Sequence, residues 1–545
     1  MSVSIGCSRD SFDPFHRQVN SLTAISPHPS FSIAAGGELL LMLMLCFVYA
    51  GGAVPAVNEA HYVAKAKHYW QPEWGDKDFF LESADAHVAF YWSIGWLTKY
   101  VSLTTTTWIG RLAAWSLIVT GWFRLTRSML PQWGTSLLTL ALTICGWHYA
   151  HMAGEWVVGG IEGKSLAYGL VFWGLAALAR NQWRWTWILF GGASAFHVLV
   201  GGWCVILAGL VWLSLPLQQR PSIRSMLPAL VIGFVISLLG LLPALALNRD
   251  VDTSVAREAN HIYAFLRLPH HLLFHRFQTQ FVTRHLALFL GLSIVGLLTV
   301  HRNASLSRVV RFAIAAGSVA GVGAILDLAL LSSPETAASL LRYYWFRLSD
   351  AMLPVAVALA IVWLTLNWSE RSSVAQWGIV LMMGVAVLGI GDVARLRMQD
   401  RRPAADAQRM PVDPQFPEQA WLKYGDWRAA CAWIAAQTPP HANFLTPATP
   451  QTFKWYTGRS EVFNHKDIPQ DAAGIVEWNR RRLRYNELDL YDDEEINLER
   501  LRAFCRYYVV DYVIVDRSRA VLDLPFPVVY ENDSYRILWI PPAEP

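Results

Sequence analysis

Charged residues are scarce in this chain of 545 residues. They make up 16% of the sequence, whereas hydrophobic residues make up 54%. A soluble protein usually carries about 25% charged residues, so a wholly soluble protein is excluded. The net charge is only +4, and the chain has no long Lys/Arg-rich run. Both facts argue against a nucleic-acid partner.

Several motifs are also absent. The six cysteines, at positions 7, 46, 145, 204, 431 and 505, lack the paired spacing of a metal site. A disulfide between Cys431 and Cys505 stays open, because only these two lie in the polar C-terminal part. No P-loop, dinucleotide fingerprint or nucleophile elbow occurs. Residues 1–32 lack a signal-peptide layout, which predicts a tail followed by a retained anchor.

Long apolar segments are abundant, and about eleven are long enough to predict transmembrane helices. The predicted spans are 33–53, 105–128, 133–150, 163–180, 184–198, 200–215, 226–247, 285–300, 308–332, 349–366 and 374–392. Segment 184–215 would be about 48 Å long as one helix, which is too long for one span. His197 and the pair Gly201–Gly202 predict a break within it.

The arginines of the short loops predict the orientation. They fall in alternate connections, near 124–127, 180–184, 220–224, 302–311 and 371, and such connections face the cytoplasm. The N-terminus is then cytoplasmic. Loops 54–104 and 248–284, the shorter loops 150–163 and 333–348, and the C-terminus lie on the outer side.

Hydropathy falls after residue 392, which predicts a linker over 393–420 and a soluble domain over 421–545. The linker carries Pro403, Pro411, Pro414 and Pro417. Patterns beyond it predict helices over 426–437, 470–484 and 496–507. Strands are predicted over 444–446, 509–515, 528–530 and 535–540, with a turn at 531–534. This alternation indicates a small α/β domain.

The first outer loop is rich in acids. Asn58-Glu59-Ala60-His61-Tyr62 directly follows the first span, and Asp78 and Asp85 come later. A carboxylate at a membrane surface can act as a general base or as a metal ligand. For most of these acids a solvated loop is the simpler interpretation, but Glu59 lies within a turn or two of the span.

The architecture and this segment resemble the GT-C superfamily, whose bacterial members are integral-membrane glycosyltransferases that use polyprenyl-phosphate-linked sugars. Many members carry Asp-Glu followed by Tyr and Ala, and Asn58-Glu59-Ala60-His61-Tyr62 with Ala64 and Ala66 is similar. Asn58 stands where the family often has its acidic catalytic residue. The resemblance therefore leaves Glu59, Asp78 and Asp85 as candidates for the base, with Asn58, His61 and Tyr62 as substrate contacts.

Three further outer segments carry polar residues that suit a substrate. Glu155, Glu162 and Lys164 lie in a glycine-rich stretch, where an ion pair that caps a turn is the alternative interpretation. Arg267, His270 and His271 suit a phosphate, whereas His271 and His275, four residues apart, could instead bind a metal. Arg342, Tyr343, Arg347 and Asp350 follow, and an aromatic belt with snorkelling arginines is their alternative.

These patterns predict an α-helical multi-pass protein of the bacterial inner membrane with a C-terminal α/β domain. The resemblance implies an inverting transfer of sugar from a polyprenyl-phosphate donor to a glycan, lipid or protein acceptor, with Mg²⁺ or Mn²⁺ as an optional cofactor. The alternatives are a transporter or flippase, whose ionisable residues would lie near the bilayer midplane, and an inactive scaffold.

Overall fold

The helices of the chain coincide with the predicted spans. The computed structural model describes residues 33–299, 301–369, 373–411, 413, 415–490, 498–517 and 524–542. Within these residues, a helix lies at each of the eleven predicted positions. They are α1 (Ile33–Ala50), α4 (Leu103–Thr126), α5 (Thr135–Tyr149), α6 (Gly163–Ala179), α7 (Trp183–Phe196), α8 (Val198–Ser214), α9 (Ile223–Ala246), α12 (Thr279–Thr299), α13 (Ala304–Ala329), α15 (Arg347–Ser369) and α16 (Ser373–Gln399).

Six of the described helices are long and apolar enough to cross a bilayer. They are α1, α9, α12, α13, α15 and α16, and α6 and α8 are shorter apolar helices. Much of the surface of α9 is exposed and apolar, with Leu239, Leu242 and Leu245 each more than half exposed. Such a surface is stable in lipid rather than in water, so the chain is a multi-pass membrane protein.

The break predicted in segment 184–215 lies at His197, between α7 and α8. Gly201 lies inside α8, where a Cβ atom would come within 2.0 Å of the backbone nitrogen of Ser194. The glycine therefore lets the first turn of α8 fold back against the end of α7. Two short helices result instead of one long span.

Shorter helices occupy the segments between these long ones. They are α2 (Glu59–Trp70), α3 (Val88–Ser93), α10 (Thr253–His261), α11 (Pro269–Leu272), α14 (Pro334–Leu341) and α17 (Ala404–Ala407). Helix α16 continues to Gln399, beyond the expected span end at 392. Of the four expected linker prolines, Pro414 lies outside the described residues.

The C-terminal part contains a five-stranded mixed sheet. Its strands are β1 (Asn443–Leu445), β2 (Ser460–Glu461), β3 (Tyr512–Asp516), β4 (Val528–Glu531) and β5 (Tyr535–Trp539), in the order β2-β1-β3-β5-β4. The first three are parallel and β5 pairs antiparallel with β3 and β4. The helices are α18 (Pro417–Gln437), α19 (Phe453–Thr457), α20 (Ala472–Asn486) and α21 (Leu498–Tyr507).

Helices cover both faces of this sheet, as the predicted α/β domain requires. Helix α18 packs on the face that carries Phe444 and Ile514, whereas α20 and α21 pack on the face that carries Val513. Cys431 and Cys505 belong to these two separate cores, and both are free thiols. The disulfide considered from the sequence is therefore not formed.

The sheet domain is docked against the first outer loop. The backbone nitrogen of Ala405 donates to the carbonyl of Pro55, and the backbone nitrogen of Glu461 donates to the carboxylate of Asp78. Helix α10 also packs against α20. The outer ends of the long helices, two outer loops and the sheet domain therefore meet in one region.

Candidate functional site

A cavity of about 860 Å³ lies where the outer loops meet the sheet domain. We call it the outer cavity. Twelve residues proposed from the sequence line it: Asn58, Glu59, His61, Tyr62, Glu155, Glu162, Lys164, His197, Arg267, His270, His271 and Arg347. The folded chain thus brings together residues from all four outer segments and from the α7–α8 corner.

Glu59 is fully buried in the cavity wall, and all of its acceptor positions are filled. Arg111 of α4 donates to both carboxylate oxygens, at 2.6 Å each. The backbone nitrogens of Ile161 and Ala56 add one bond to each oxygen, at 2.7 and 2.6 Å. A carboxylate accepts about four hydrogen bonds, so Glu59 has no lone pair left for an acceptor proton. This geometry fits a structural role, not that of a base.

The glycine-rich segment approaches Glu59 because it lacks side chains there. A Cβ atom on Gly160 would lie 2.7 Å from an oxygen of Glu59, a distance that real Cβ atoms do not adopt. Without that atom, the neighbouring Ile161 amide can reach the carboxylate. The glycine pattern seen in the sequence therefore serves a close contact between two outer segments.

Lys164 lies between two buried carboxylates. Its ammonium is 3.3 Å from Glu155 and 3.4 Å from Glu162. Arg347 forms a second ion pair with Glu155 at 3.0 Å, and the amide of Asn58 donates to Glu162 at 2.8 Å. Glu162 also caps α6. The expected Glu162–Lys164 pair is present, within a larger network.

Three basic side chains at the cavity form no ion pair with a carboxylate within 4 Å among the described residues. Arg267, Arg409 and Lys466, which we call the basic triad, come from three separate segments. The Nε atoms of Arg267 and Arg409 are buried without a hydrogen-bond partner. Burial, together with the positive charge of Arg267, lowers the pKa of Lys466 to about 8. The three side chains are partly buried, and burying a charge without an ion-pair partner is costly, so an anion would stabilise this group.

The histidines of the second long loop contribute little charge. Burial lowers the pKa of His271 to about 3, and also lowers the pKa of His270. Both are therefore neutral at pH 7. His271 contacts the carbonyl of Ala153, whereas His275 contacts Asp327 outside the cavity. The two do not share a helix face, because α11 ends at Leu272.

Five of the proposed residues do not line the cavity. Asp85 pairs with Lys65, and Arg342 hydrogen-bonds to Asn260. Tyr343 is half exposed outside it. Asp350 is buried and accepts bonds from the backbone nitrogens of 152, 153 and 155. It holds the glycine-rich segment in place.

Asp78 belongs to a buried ionic cluster beside the cavity. Lys454, 1% exposed, lies 3.3 Å from Asp78 and 2.8 Å from Glu461, and it also contacts Asp467. We call these four residues the Lys454 cluster. Burial alone would lower the pKa of Lys454, but the three carboxylates raise it well above its ordinary value. The cluster joins the first outer loop to the sheet domain.

His61 connects this cluster to the cavity. Its Nδ1 atom lies 2.9 Å from Asp467, and its ring is among the residues that line the cavity. Burial lowers the pKa of His61. His61 is therefore neutral at pH 7 and faces the cavity with one nitrogen already engaged.

Sequence reasoning missed His87, Arg409, Lys466 and Gln470 of the cavity wall, and Asp467 behind it. The last four lie in the C-terminal part, where single polar residues are ordinary. Within the described residues, no group of three or more His, Cys, Asp or Glu side chains is arranged to hold a metal ion. The dependence on a divalent cation stays a prediction.

Comparisons with known proteins give a match to a domain family and matches to solved structures. Residues 425–485 match a domain of unknown function, DUF6798. The chain is also similar to the crystal structure of ArnT from Cupriavidus metallidurans bound to undecaprenyl phosphate. That match has 12% sequence identity and a TM-score of 0.46, and covers 93% of this chain and 97% of that one. No curated protein matches the sequence.

Proposed function

We propose that the outer cavity binds a polyprenyl-phosphate-linked sugar and that the protein transfers this sugar to an acceptor. The basic triad is the observation that carries the proposal. Arg267, Arg409 and Lys466 line one cavity, and none of them forms an ion pair with a carboxylate within 4 Å among the described residues. Guanidinium and ammonium groups in this arrangement suit a phosphate. The resemblance of the segment at Asn58 and Glu59 to GT-C enzymes supports the same class of donor.

The apolar side of the cavity supports a lipid donor over a soluble one. Leu199 at the α7–α8 corner and Ala244 and Leu247 of α9 line it. Helix α9 also exposes a long apolar surface, which we place in the lipid. A polyprenyl chain would lie along this side while its phosphate meets the basic triad. A water-soluble sugar nucleotide would gain nothing from these contacts.

The polar residues have distinct parts in the proposed transfer. Breaking the bond between the anomeric carbon and the phosphate oxygen leaves extra negative charge on the phosphate. Fixed positive charges stabilise the charge that develops in the transition state, and the basic triad supplies them. Glu155, Glu162 and Asn58 also line the cavity and offer acceptors and a donor to sugar hydroxyls. Attack of the acceptor on the side of the anomeric carbon away from the phosphate would invert that centre.

The position of the ionisable groups favours transfer over transport. The residues of the cavity lie at one end of the long helices, at the start of α6, α8 and α15 and at the end of α7 and α9. A transport pathway usually places such groups near the middle of the bilayer. We therefore keep the transferase as the proposed function.

Binding of a polyprenyl phosphate to the detergent-solubilised protein tests the proposal. Arg409→Ala should weaken binding about 10- to 100-fold, because a charge-assisted hydrogen bond contributes roughly 1.5–3 kcal/mol. Arg342→Ala is the matched control, since Arg342 contacts Asn260 outside the cavity. Microscale thermophoresis of both variants measures the change.

Two results would count against the proposal. Equal affinity of wild type and Arg409→Ala would remove the basic triad as the phosphate site. Loss of binding on addition of EDTA, with wild-type affinity restored by Mg²⁺, would assign the phosphate contact to a metal ion instead.

A further inference from the structure

The His61 side chain has the geometry of an oriented base. Its Nδ1 atom is 2.9 Å from Oδ1 of Asp467, and the other oxygen of Asp467 contacts Lys454. Among the described residues, the Nε2 atom of His61 makes no hydrogen bond. A carboxylate that holds Nδ1–H fixes the tautomer in which Nε2 accepts a proton. His61 therefore presents a proton acceptor at the cavity.

The carboxylates of the cavity wall are already engaged with cations. Glu59 is saturated by Arg111 and two backbone amides. Glu155 pairs with Lys164 and Arg347, and Glu162 pairs with Lys164. A proton taken by any of them would weaken a buried ion pair. His61 can take a proton without this loss, because an ionised Asp467 faces the imidazolium that forms.

We propose that His61, oriented by Asp467, is the general base of the transfer reaction, and this rests on the proposed function. The acceptor oxygen bonds to the anomeric carbon, and the bond from that carbon to the phosphate oxygen breaks with its electron pair. The acceptor proton moves to Nε2 of His61. Polyprenyl phosphate leaves with the electron pair, and His61 later releases the proton to water.

The acceptor that needs such a base is a neutral hydroxyl. A hydroxyl oxygen becomes a strong nucleophile only as its proton leaves, whereas a phosphate acceptor already carries negative charge. The pair of His61 and Asp467, which we call the dyad, therefore assigns the acceptor to the class of sugar, lipid or protein hydroxyls. A phosphate acceptor would react without help from His61.

The dyad also gives a direction to the pH dependence. Burial lowers the pKa of His61. The charge of Asp467 opposes this shift, whereas the charges of Lys466 and Lys454 add to it. His87 also couples to His61, and burial lowers the pKa of His87 to about 4. Transfer should be constant near neutral pH and fall in acid, once His61 is protonated.

The test separates donor binding from transfer. Radiolabelled polyprenyl-phosphate glucose, mannose and galactose are offered with octyl glucoside as the hydroxyl acceptor or octyl phosphate as the phosphate acceptor. His61→Gln should lower kcat for octyl glucoside by roughly a hundred- to ten-thousand-fold, while the Kd for polyprenyl phosphate stays within twofold. The fall of rate in acid should disappear. Asp467→Asn should give a smaller loss of the same kind.

His441→Gln is the matched control. His441 also contacts an aspartate, Asp76, at 2.7 Å, but this pair is exposed and outside the cavity. Its kcat should equal that of the wild type. A second measurement needs no activity: diethyl pyrocarbonate, which reacts with neutral imidazole, should label His61 at pH 7, as detected by peptide mass spectrometry.

Three results would overturn the dyad. They are a wild-type kcat in His61→Gln, an equal loss with octyl phosphate and octyl glucoside, and a His61 that diethyl pyrocarbonate does not label. Failure of the proposed function looks different. A wild-type protein that neither binds polyprenyl phosphate nor transfers sugar would contradict that function, and the labelling of His61 would then decide whether its nitrogen is free.

Discussion

Glu59 and Arg111 form the most completely bonded ion pair at the outer cavity. The carboxylate is 0% exposed and the guanidinium 1%, so neither charge meets water. A buried charge that loses its partner costs about 3–5 kcal/mol. The pair thus holds the start of the first outer segment against α4. Its removal should lower the stability of the fold rather than act on a reaction step directly.

We therefore expect Glu59→Gln to destabilise the protein by about 3–5 kcal/mol, because Arg111 stays buried without a counter-charge. The double variant Glu59→Leu with Arg111→Met should recover most of this loss, since apolar residues of similar size need no partner. Thermal unfolding followed by tryptophan fluorescence measures both.

Glu82→Gln is the control for this experiment, because Glu82 is about half exposed and contacts only His68 at 3.3 Å. It should change stability by less than about 1 kcal/mol. A stable Glu59→Gln variant with impaired transfer would instead return Glu59 to the role of base.

The sequence predicted many cavity residues because polar groups in an apolar chain are conspicuous. Glu155, Glu162 and Arg347 lie beside predicted spans, where an ionisable group is costly unless it is paired or lines a cavity. Lys466 and Asp467 carry no such signal, because the segment around them is polar throughout. Their role arises only from docking of the sheet domain, which brings His61 to a residue 406 positions away.

At the scale of elements, the predictions succeeded where the length of an apolar segment or the period of its side chains determines the secondary structure. A long apolar run can only be a helix in lipid, so α1 and α13 were predictable. The alternation of apolar and polar residues predicted β3 and β5 in the same way. Strand β2 was missed because it has only two residues, Ser460 and Glu461, and two residues show no period. It exists because β1 offers it a parallel partner.

The Lys454 cluster is the main ionic link between the first outer loop and β2 with its following segment. Lys454→Met should destabilise the docked state by about 3–5 kcal/mol, because Asp78, Glu461 and Asp467 would be buried without their cation. Arg480→Ala, which removes an exposed pair with Glu477, should change stability by less than about 1 kcal/mol. Thermal unfolding again gives the comparison.

This cluster also predicts how stability depends on pH. Burial raises the pKa of Glu461 to about 7, although Lys454 opposes the shift. A carboxyl group whose pKa is raised by folding stabilises the fold when protonated, and this contribution is lost as pH rises through 7. Lys454 stabilises the ionised form of Glu461, which is more populated at pH 8 than at pH 6. The loss of stability caused by Lys454→Met should therefore be larger at pH 8 than at pH 6. An equal loss at both values would contradict this account of the cluster.

At the scale of the whole molecule, the outer cavity and the C-terminal domain must lie on one side of the membrane. The arginines of the short loops predict that this side faces away from the cytoplasm. Alkaline phosphatase fused after residue 545 should be active and GFP at the same point dark. Fusions after Gln219, beside Arg220, should give the opposite pattern. Active phosphatase at Gln219 and not at 545 would reverse the orientation.

The cavity wall is assembled from parts of the chain that are synthesised far apart in time. Asn58 and Glu155 enter the membrane early, whereas Arg409, Lys466 and Asp467 arrive only when the last quarter of the chain is made. During biogenesis, an inserted but unfinished chain lacks two of the three residues of the basic triad and the partner of His61. Under the proposed function, we therefore expect chains truncated after α16 not to hydrolyse a polyprenyl-phosphate-linked sugar.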